Sequence, residues 1–114
     1  MALIKKGDIY LVNFDPTVGV EVQKTRPAVI VSNNINNENS PIVSISPITS
    51  SISKVYSFEV LIPKNTSGLS KKSKVMVNQT RAVDKIRLIK KLGTLPDSKI
   101  EKINSALKLH YELD

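Results

Sequence analysis

Short apolar runs bounded by turn residues fill the first three quarters of the chain, and a helical period fills the rest. Asp8 to Phe14 is apolar and aromatic, lies between Gly7 and Asp15-Pro16, and predicts a strand. Pro27 to Ser32 carries a continuous apolar run, the pattern of a strand buried on both faces. Ile42 to Thr49 predicts a third strand, with Pro47 marking a bulge or the strand's exit. Phe58, Val60 and Ile62 alternate with Glu59 and Leu61, and Val75 and Val77 flank Met76. Each set predicts a further short strand. Turn chemistry at Pro63-Lys64-Asn65 and Ser67-Gly68 separates them, and the asparagine-rich stretch from Asn33 to Ser40 reads as a turn or loop. In the tail, Ile100, Ile103, Leu107 and Tyr111 recur at helical spacing with Ala106 beside them, and Lys99, Glu101, Lys102 and Lys108 take the other face. Pro96 suits a first helical turn, while Ser98 and Glu101 have capping-box spacing. The two signals place the start a residue or two apart. Many short strands closed by one terminal helix predict an α+β, mainly β fold: a small, strongly bent sheet or barrel.

At 114 residues the chain is one domain, residues 1–114, large enough for a core without covalent staples. It has no cysteine and one histidine, His110. Counting therefore excludes a disulfide framework, a cysteine nucleophile, a histidine triad and a two-histidine metal site. No cofactor or metal is expected. The apolar runs are far shorter than the ~20 residues a membrane span needs, and the N-terminal residues do not read as a signal peptide. The expectation is a cytoplasmic protein.

Charge changes the picture more. The formal net charge is +7, and it is concentrated in the second half. From Lys64 to Lys91 there are nine basic residues and one acid, Asp84. Such a stretch either attracts a polyanion such as nucleic acid or is a solvated, solubilising face.

Two polar clusters could carry chemistry. Glu21-Val22-Gln23-Lys24-Thr25-Arg26-Pro27 precedes the buried strand, with Pro27 holding Arg26 in extended backbone. Ser46-Pro47-Ile48-Thr49-Ser50-Ser51 brings hydroxyls to the end of another. A guanidinium and a hydroxyl on adjacent strands would clamp a phosphate, the first by a planar fork of donors and the second by one short hydrogen bond. Taken singly, an arginine at a strand start is usually a surface residue and a Ser/Thr cluster usually a loop.

With these residues in view the chain resembles the MazF/PemK family of toxin endoribonucleases. The resemblance starts at Gly7-Asp8-Ile9-Tyr10-Leu11-Val12 and Asp15-Pro16-Thr17-Val18-Gly19. It passes through Glu21, Arg26 to Val31, Pro47-Ile48-Thr49-Ser50, Phe58-Glu59-Val60 and Gly68 to Ser73. It is strongest from Asn78 to Leu88 and ends with Gly93-Thr94-Leu95 and the terminal helix. The resemblance implies an SH3-like barrel with a long C-terminal helix, a homodimer, and ribosome-independent cleavage of single-stranded RNA at short sequence motifs. It places the catalytic positions on Arg26 and Thr49. The family's Gly-Ser-Glu-Gln segment reads Gly19-Val20-Glu21-Val22 here, and the approach to the arginine reads Gln23-Lys24-Thr25, so this loop diverges. Asn78 stands where the family often has an acid.

RNA carries its own nucleophile, the 2′-hydroxyl, so the protein has to align it and stabilise the charge that builds on the phosphorane. Arg26 suits that charge and Thr49 a non-bridging oxygen. Arginine is a poor base at neutral pH. Glu21, Lys24 and Ser50 flank the pair as candidate substrate contacts. Asn78, Gln79, Arg81 and Lys85 on the basic stretch would hold phosphates or base edges. Asn33 reads equally as a base-edge contact or a turn residue. The expected partners are single-stranded RNA and a cognate antitoxin with an acidic disordered segment. The alternatives are a non-enzymatic gyrase poison of CcdB type, which shares the barrel in family terms, and a plain nucleic-acid-binding barrel.

Overall fold

Strand β3, Ile42–Thr49, changes partner along its length and so organises the sheet. In the computed structural model, which describes residues 3–16, 19–20 and 24–114, seven antiparallel strands are present. They are β1 (Asp8–Asn13), β2 (Thr25–Ile30), β3 (Ile42–Thr49), β4 (Glu59–Ile62), β5 (Ser73–Met76), β6 (Arg81–Asp84) and β7 (Leu88–Thr94). The first half of β3 pairs with β6, from Ile42 opposite Asp84 to Ile45 opposite Arg81. Its last two residues pair with β5, Ile48 opposite Val75 and Thr49 opposite Lys74. Pro47 falls between the two partners. Its missing N–H therefore costs no bond on that edge, which is how a proline survives inside a central strand.

The pairing path runs β4-β5-β3-β2-β1-β7, with β6 set off it on β3. Among the described residues the path does not close on itself, and the sheet with its C-terminal helix has the expected mainly β, small-barrel-like fold without full closure. Two register shifts along β1 against β7 mark the irregular pairing by which such an edge bends.

The bend separates two clusters of buried side chains. One holds Ile9, Val29, Ile48, Val60, Ile62 and Val75 and packs beneath the terminal helix α2 (Asp97–Tyr111) through Ile103 and Ala106. The other holds Tyr10, Val12, Phe14, Ala28, Ile30, Val43, Ile45 and Val83. Ala28 and Ile30 feed one cluster and Val29 the other, so β2 is buried on both faces as its unbroken apolar run predicts.

The structure departs from the pattern at identifiable places. The segment expected as a loop holds a short helix, α1 (Asn34–Asn39). Its asparagines act as caps and tethers. Asn33 Oδ1 accepts from the Asn36 N–H at 2.8 Å. Buried Asn37 donates to the Ser32 carbonyl at 2.9 Å. Val77 ends outside β5, in a 3-10 turn, Val77–Gln79. Strands β6 and β7 are absent from the apolar pattern, because β7 is an edge strand carrying exposed Lys90 and Lys91, the charges that discourage edge pairing. Helix α2 starts from Pro96, whose carbonyl accepts from Lys99 and Ile100. No side chain caps it. Ser98 lies inside the helix, so the Ser98–Glu101 box does not form. Tyr111, counted on the apolar face, is half exposed at 51%.

Candidate functional site

The two candidate catalytic residues meet where β2 and β3 part. Their register pairs Ala28 with Pro47, Val29 with Ser46 and Ile30 with Ile45. Continued toward the start of β2, it sets Arg26 opposite Thr49. The β2–β3 ladder has ended before that point, while the other edge of β3 stays paired with β5, so β2 and β3 splay. The gap is a cleft of about 210 Å³ lined by Arg26, Pro27, Ile48, Thr49 and Ser50 together with residues of the 69–73 segment. Arg26 and Thr49 are both half-buried. On its other edge Arg26 pairs with Val12 of β1, so its backbone is held between two neighbours. The Thr49 hydroxyl accepts from the Ser51 N–H at 3.1 Å. That turn fixes the oxygen and leaves the hydroxyl proton to be donated.

The rest of the lining comes from a loop that the sequence did not assign to the site. Ser70, Lys71 and Ser73 line the cleft with Leu69. Leu69 is buried in the core beneath α2. The Ser73 hydroxyl donates to the Lys71 carbonyl at 2.9 Å. Close backbone approach fixes the loop against β7: a Cβ on Gly68 would lie 2.0 Å from the Leu92 carbonyl oxygen, and one on Gly93 would lie 2.3 Å from that of Ser67. Gly68 also has φ +84°, a conformation glycine adopts without strain. The available signal was its place in both the basic stretch and the family-like Gly68-to-Ser73 segment.

The other sequence candidates scatter. Glu21 lies outside the described residues. Lys24, at φ 65°, closes the base of the β1–β2 connection: its N–H donates to Asp15 Oδ1 at 2.8 Å and its carbonyl accepts from Phe14. Asn33 is the helix cap described above. Ser50 is exposed at the cleft. Asn78 is exposed in the 3-10 turn, and the Gln79 side-chain amide lies 3.7 Å from Met76 Sδ. The Arg81 guanidinium sits 6.0 Å from the centre of the Phe14 ring, within cation–π range. Lys85 Nζ donates to the Asn37 carbonyl at 2.6 Å, tying α1 to the segment after β6. The cleft thus gathers Arg26, Thr49 and Ser50, while Lys24, Asn33, Asn78, Gln79, Arg81 and Lys85 do not line it. Ser46, part of the hydroxyl cluster, is fully buried and bonded to Thr80 at 2.6 Å, a packing role.

Two further polar sites support the scaffold. Lys74 Nζ is buried against Glu59 at 3.0 Å and donates to the Lys54 carbonyl at 2.6 Å. Asp8 is buried and accepts from the Thr94 hydroxyl at 3.0 Å, with Lys91 Nζ at 3.4 Å. Burial, and secondarily the Asp8 carboxylate, push the Tyr10 hydroxyl above its ordinary pKa, against a smaller opposing effect of Lys91. A larger groove of about 700 Å³ runs between α2 and β4, floored by Val60, Leu61 and Ala106, and is lined by neither Arg26 nor Thr49. Among the described residues no three His, Asp or Glu side chains converge as metal ligands, and no helix is long and apolar enough to cross a membrane.

Comparison with known proteins agrees along nearly the whole chain. The profile of the PemK-like, MazF-like toxins of type II toxin-antitoxin systems matches residues 5–111. The endoribonuclease MazF9 of Mycobacterium tuberculosis is 34% identical over 97% of this chain and 98% of its own length. The endoribonuclease MazF of Staphylococcus saprophyticus is 36% identical over 97% of this chain and 93% of its own. Among solved structures, MazF of Deinococcus radiodurans superposes with a TM-score of 0.85 at 25% identity, covering 99% of this chain and all of that one. A mycobacterial endoribonuclease solved with its cognate antitoxin superposes with a TM-score of 0.78 at 22% identity, covering 100% of this chain and 98% of that one.

Proposed function

Because the chain belongs to the PemK-like, MazF-like toxins of type II toxin-antitoxin systems, we propose that it is an endoribonuclease that cuts single-stranded RNA at the Arg26–Thr49 cleft. The observation that carries this reading is the convergence of a guanidinium and a donor hydroxyl on adjacent strands, in a cleft whose lining also includes Ser70 and Lys71. The 2′-hydroxyl oxygen forms a bond to phosphorus as the bond to the 5′-oxygen breaks. Arg26 holds the excess negative charge of the phosphorane by paired N–H donors, and Thr49 donates to a non-bridging oxygen. Preorganised donors aimed at developing charge need no rearrangement as it forms. The proton leaves the 2′-hydroxyl and is returned to the 5′-oxygen. Arginine's high pKa assigns Arg26 the electrostatic task rather than that of general base. The products are a 2′,3′-cyclic phosphate and a 5′-hydroxyl. Because RNA supplies the nucleophile and the cleft the charge, the reaction needs no metal and no ribosome.

In this reading the protein acts in the cytoplasm as a homodimer, cuts at a short sequence motif, and is held in check by an antitoxin whose acidic, disordered segment is drawn to the basic second half of the chain. Such a segment orders only on docking.

Incubation of the purified protein with a long single-stranded RNA in EDTA tests the reading. Discrete cleavage with cyclic phosphate ends is expected. Arg26→Ala and Thr49→Ala, each folded by circular dichroism, should each lose about 100- to 1000-fold in rate, the usual cost of one charge-stabilising donor. Activity that vanishes on chelation and returns with magnesium, or either variant cutting within a few-fold of wild type, overturns it. Intact RNA together with arrested gyrase on plasmid DNA would instead establish the gyrase poison.

A further inference from the structure

The part of the cleft lining formed by residues 69–73 has a property that the Arg–Thr pair does not require. It carries one lysine of an adjacent pair, Lys71, and excludes the other. Lys71 lines the cleft with Ser70, whereas Lys72, equally charged and also exposed, does not. Lys71 is also held in place by its surroundings. Two residues before it, Leu69 is anchored in the core. Its own carbonyl is fixed by the Ser73 hydroxyl. The preceding turn is pressed against β7 at Gly68 and Gly93, where no side chain fits. A solvated lysine needs no such support. A cation that must meet a ligand at a set position loses less freedom on binding when its backbone is already fixed.

The chemistry of this segment is one ammonium and two hydroxyls, of which Ser73 is already spent on the Lys71 carbonyl, with no carboxylate lining the cleft among the described residues. That set fits an anion with several acceptor oxygens. Arg26 and Thr49 line the same cleft and, in the reading above, act on the scissile phosphate. We propose that Ser70 and Lys71 form a second phosphate subsite, which takes a backbone phosphate neighbouring the scissile one and so sets the strand's register in the cleft. The inference rests on the ribonuclease reading above. Lys71 is a substrate-binding residue here, with no part in stabilising the transition state.

A ground-state contact of this kind raises KM and spares kcat. The test compares Lys71→Ala with Lys72→Ala, both conservative for folding because both side chains are exposed. Affinity for a fluorescein-labelled single-stranded oligodeoxynucleotide, which has the phosphates but no 2′-hydroxyl, is measured over a sodium chloride series. One lost phosphate contact lowers the slope of log affinity against log salt by about 0.7 for a single strand. Lys71→Ala should show that decrease relative to Lys72→Ala. In RNA cleavage it should raise KM about three- to fivefold at low salt, the worth of an exposed ion pair, with kcat within twofold, and Lys71→Arg should restore both. Equal slopes for the two alanine variants overturn the subsite. So does a fall in kcat at unchanged KM, which would place Lys71 in the transition state. If the wild type leaves RNA uncut, the ribonuclease reading fails by itself, and the salt slopes still decide whether Lys71 holds a phosphate.

Discussion

The buried pair Lys74–Glu59 offers a direct test of how this small sheet is held together. Their side chains are 11% and 4% exposed and 3.0 Å apart. Lys74 Nζ also donates to the Lys54 carbonyl at 2.6 Å, and Glu59 Oε1 also accepts from the Tyr56 N–H at 2.9 Å. The pair thus pins the 54–56 stretch onto β4 and β5. Removing one charge leaves the other buried without its counterion, a loss of about 3 kcal/mol or more. Glu59→Gln strands the ammonium among neutral acceptors. Lys74→Met strands the carboxylate on a single N–H. Both changes together leave no charge, an apolar chain of similar length and an amide that still accepts from Tyr56. The double variant should lose about 1 kcal/mol and be more stable than either single one. For a chain of this size about 3 kcal/mol is a fall in Tm of roughly 12 °C. It is also a large share of the roughly 5–15 kcal/mol that holds a domain folded. Urea denaturation of the four proteins at one fixed protein concentration measures all the terms. Single variants losing under about 1 kcal/mol, or a double variant losing the sum of the singles, would refute the reasoning.

Other changes separate scaffold from site. Because Tyr10 is held above its ordinary pKa of 10.0 by burial and by Asp8, the unfolded chain releases that proton first. Stability should then fall as pH rises past about 10, and Tyr10→Phe should lose less Tm than wild type between pH 9 and 11; equal losses would remove Tyr10 as the cause. Asn33→Ala should cost about 1 kcal/mol as a lost helix cap and Asn33→Asp much less; RNA cleavage that collapses in a fully stable Asn33→Asp protein would establish a base contact instead. Gly93→Ala, whose Cβ would meet the Ser67 carbonyl oxygen at 2.3 Å, should cost about 1–3 kcal/mol as overpacking and weaken cleavage by displacing the loop that carries Lys71. Wild-type melting and cleavage in that variant would show that the approach is not tight.

The sequence by itself determined the elements whose burial is periodic. An apolar run with no polar partner made β2 a strand buried on both faces. Strand β3 runs over the predicted residues Ile42–Thr49, and Ile103 and Ala106 are buried on the predicted face of α2. Family-like residues, spread in order along the chain, identified the family. The sequence did not determine elements formed by side-chain hydrogen bonds or by edges. The asparagines of α1 read as a loop because the same amides that favour turns serve there as caps and tethers. Strands β6 and β7 left no strand signal in the sequence because charges on an edge erase the alternation. Only the tertiary structure decided the composition of the cleft. Arg26 and Thr49 stand 23 positions apart in the chain, and they share a cleft because the β2–β3 pairing ends at Ala28 and Pro47, two positions short of them. Charge density could not choose among nine basic residues between Lys64 and Lys91. Strand register, the Gly68–Gly93 approach and the Lys85–Asn37 bond put Lys71 in the cleft and commit Lys85 to holding α1.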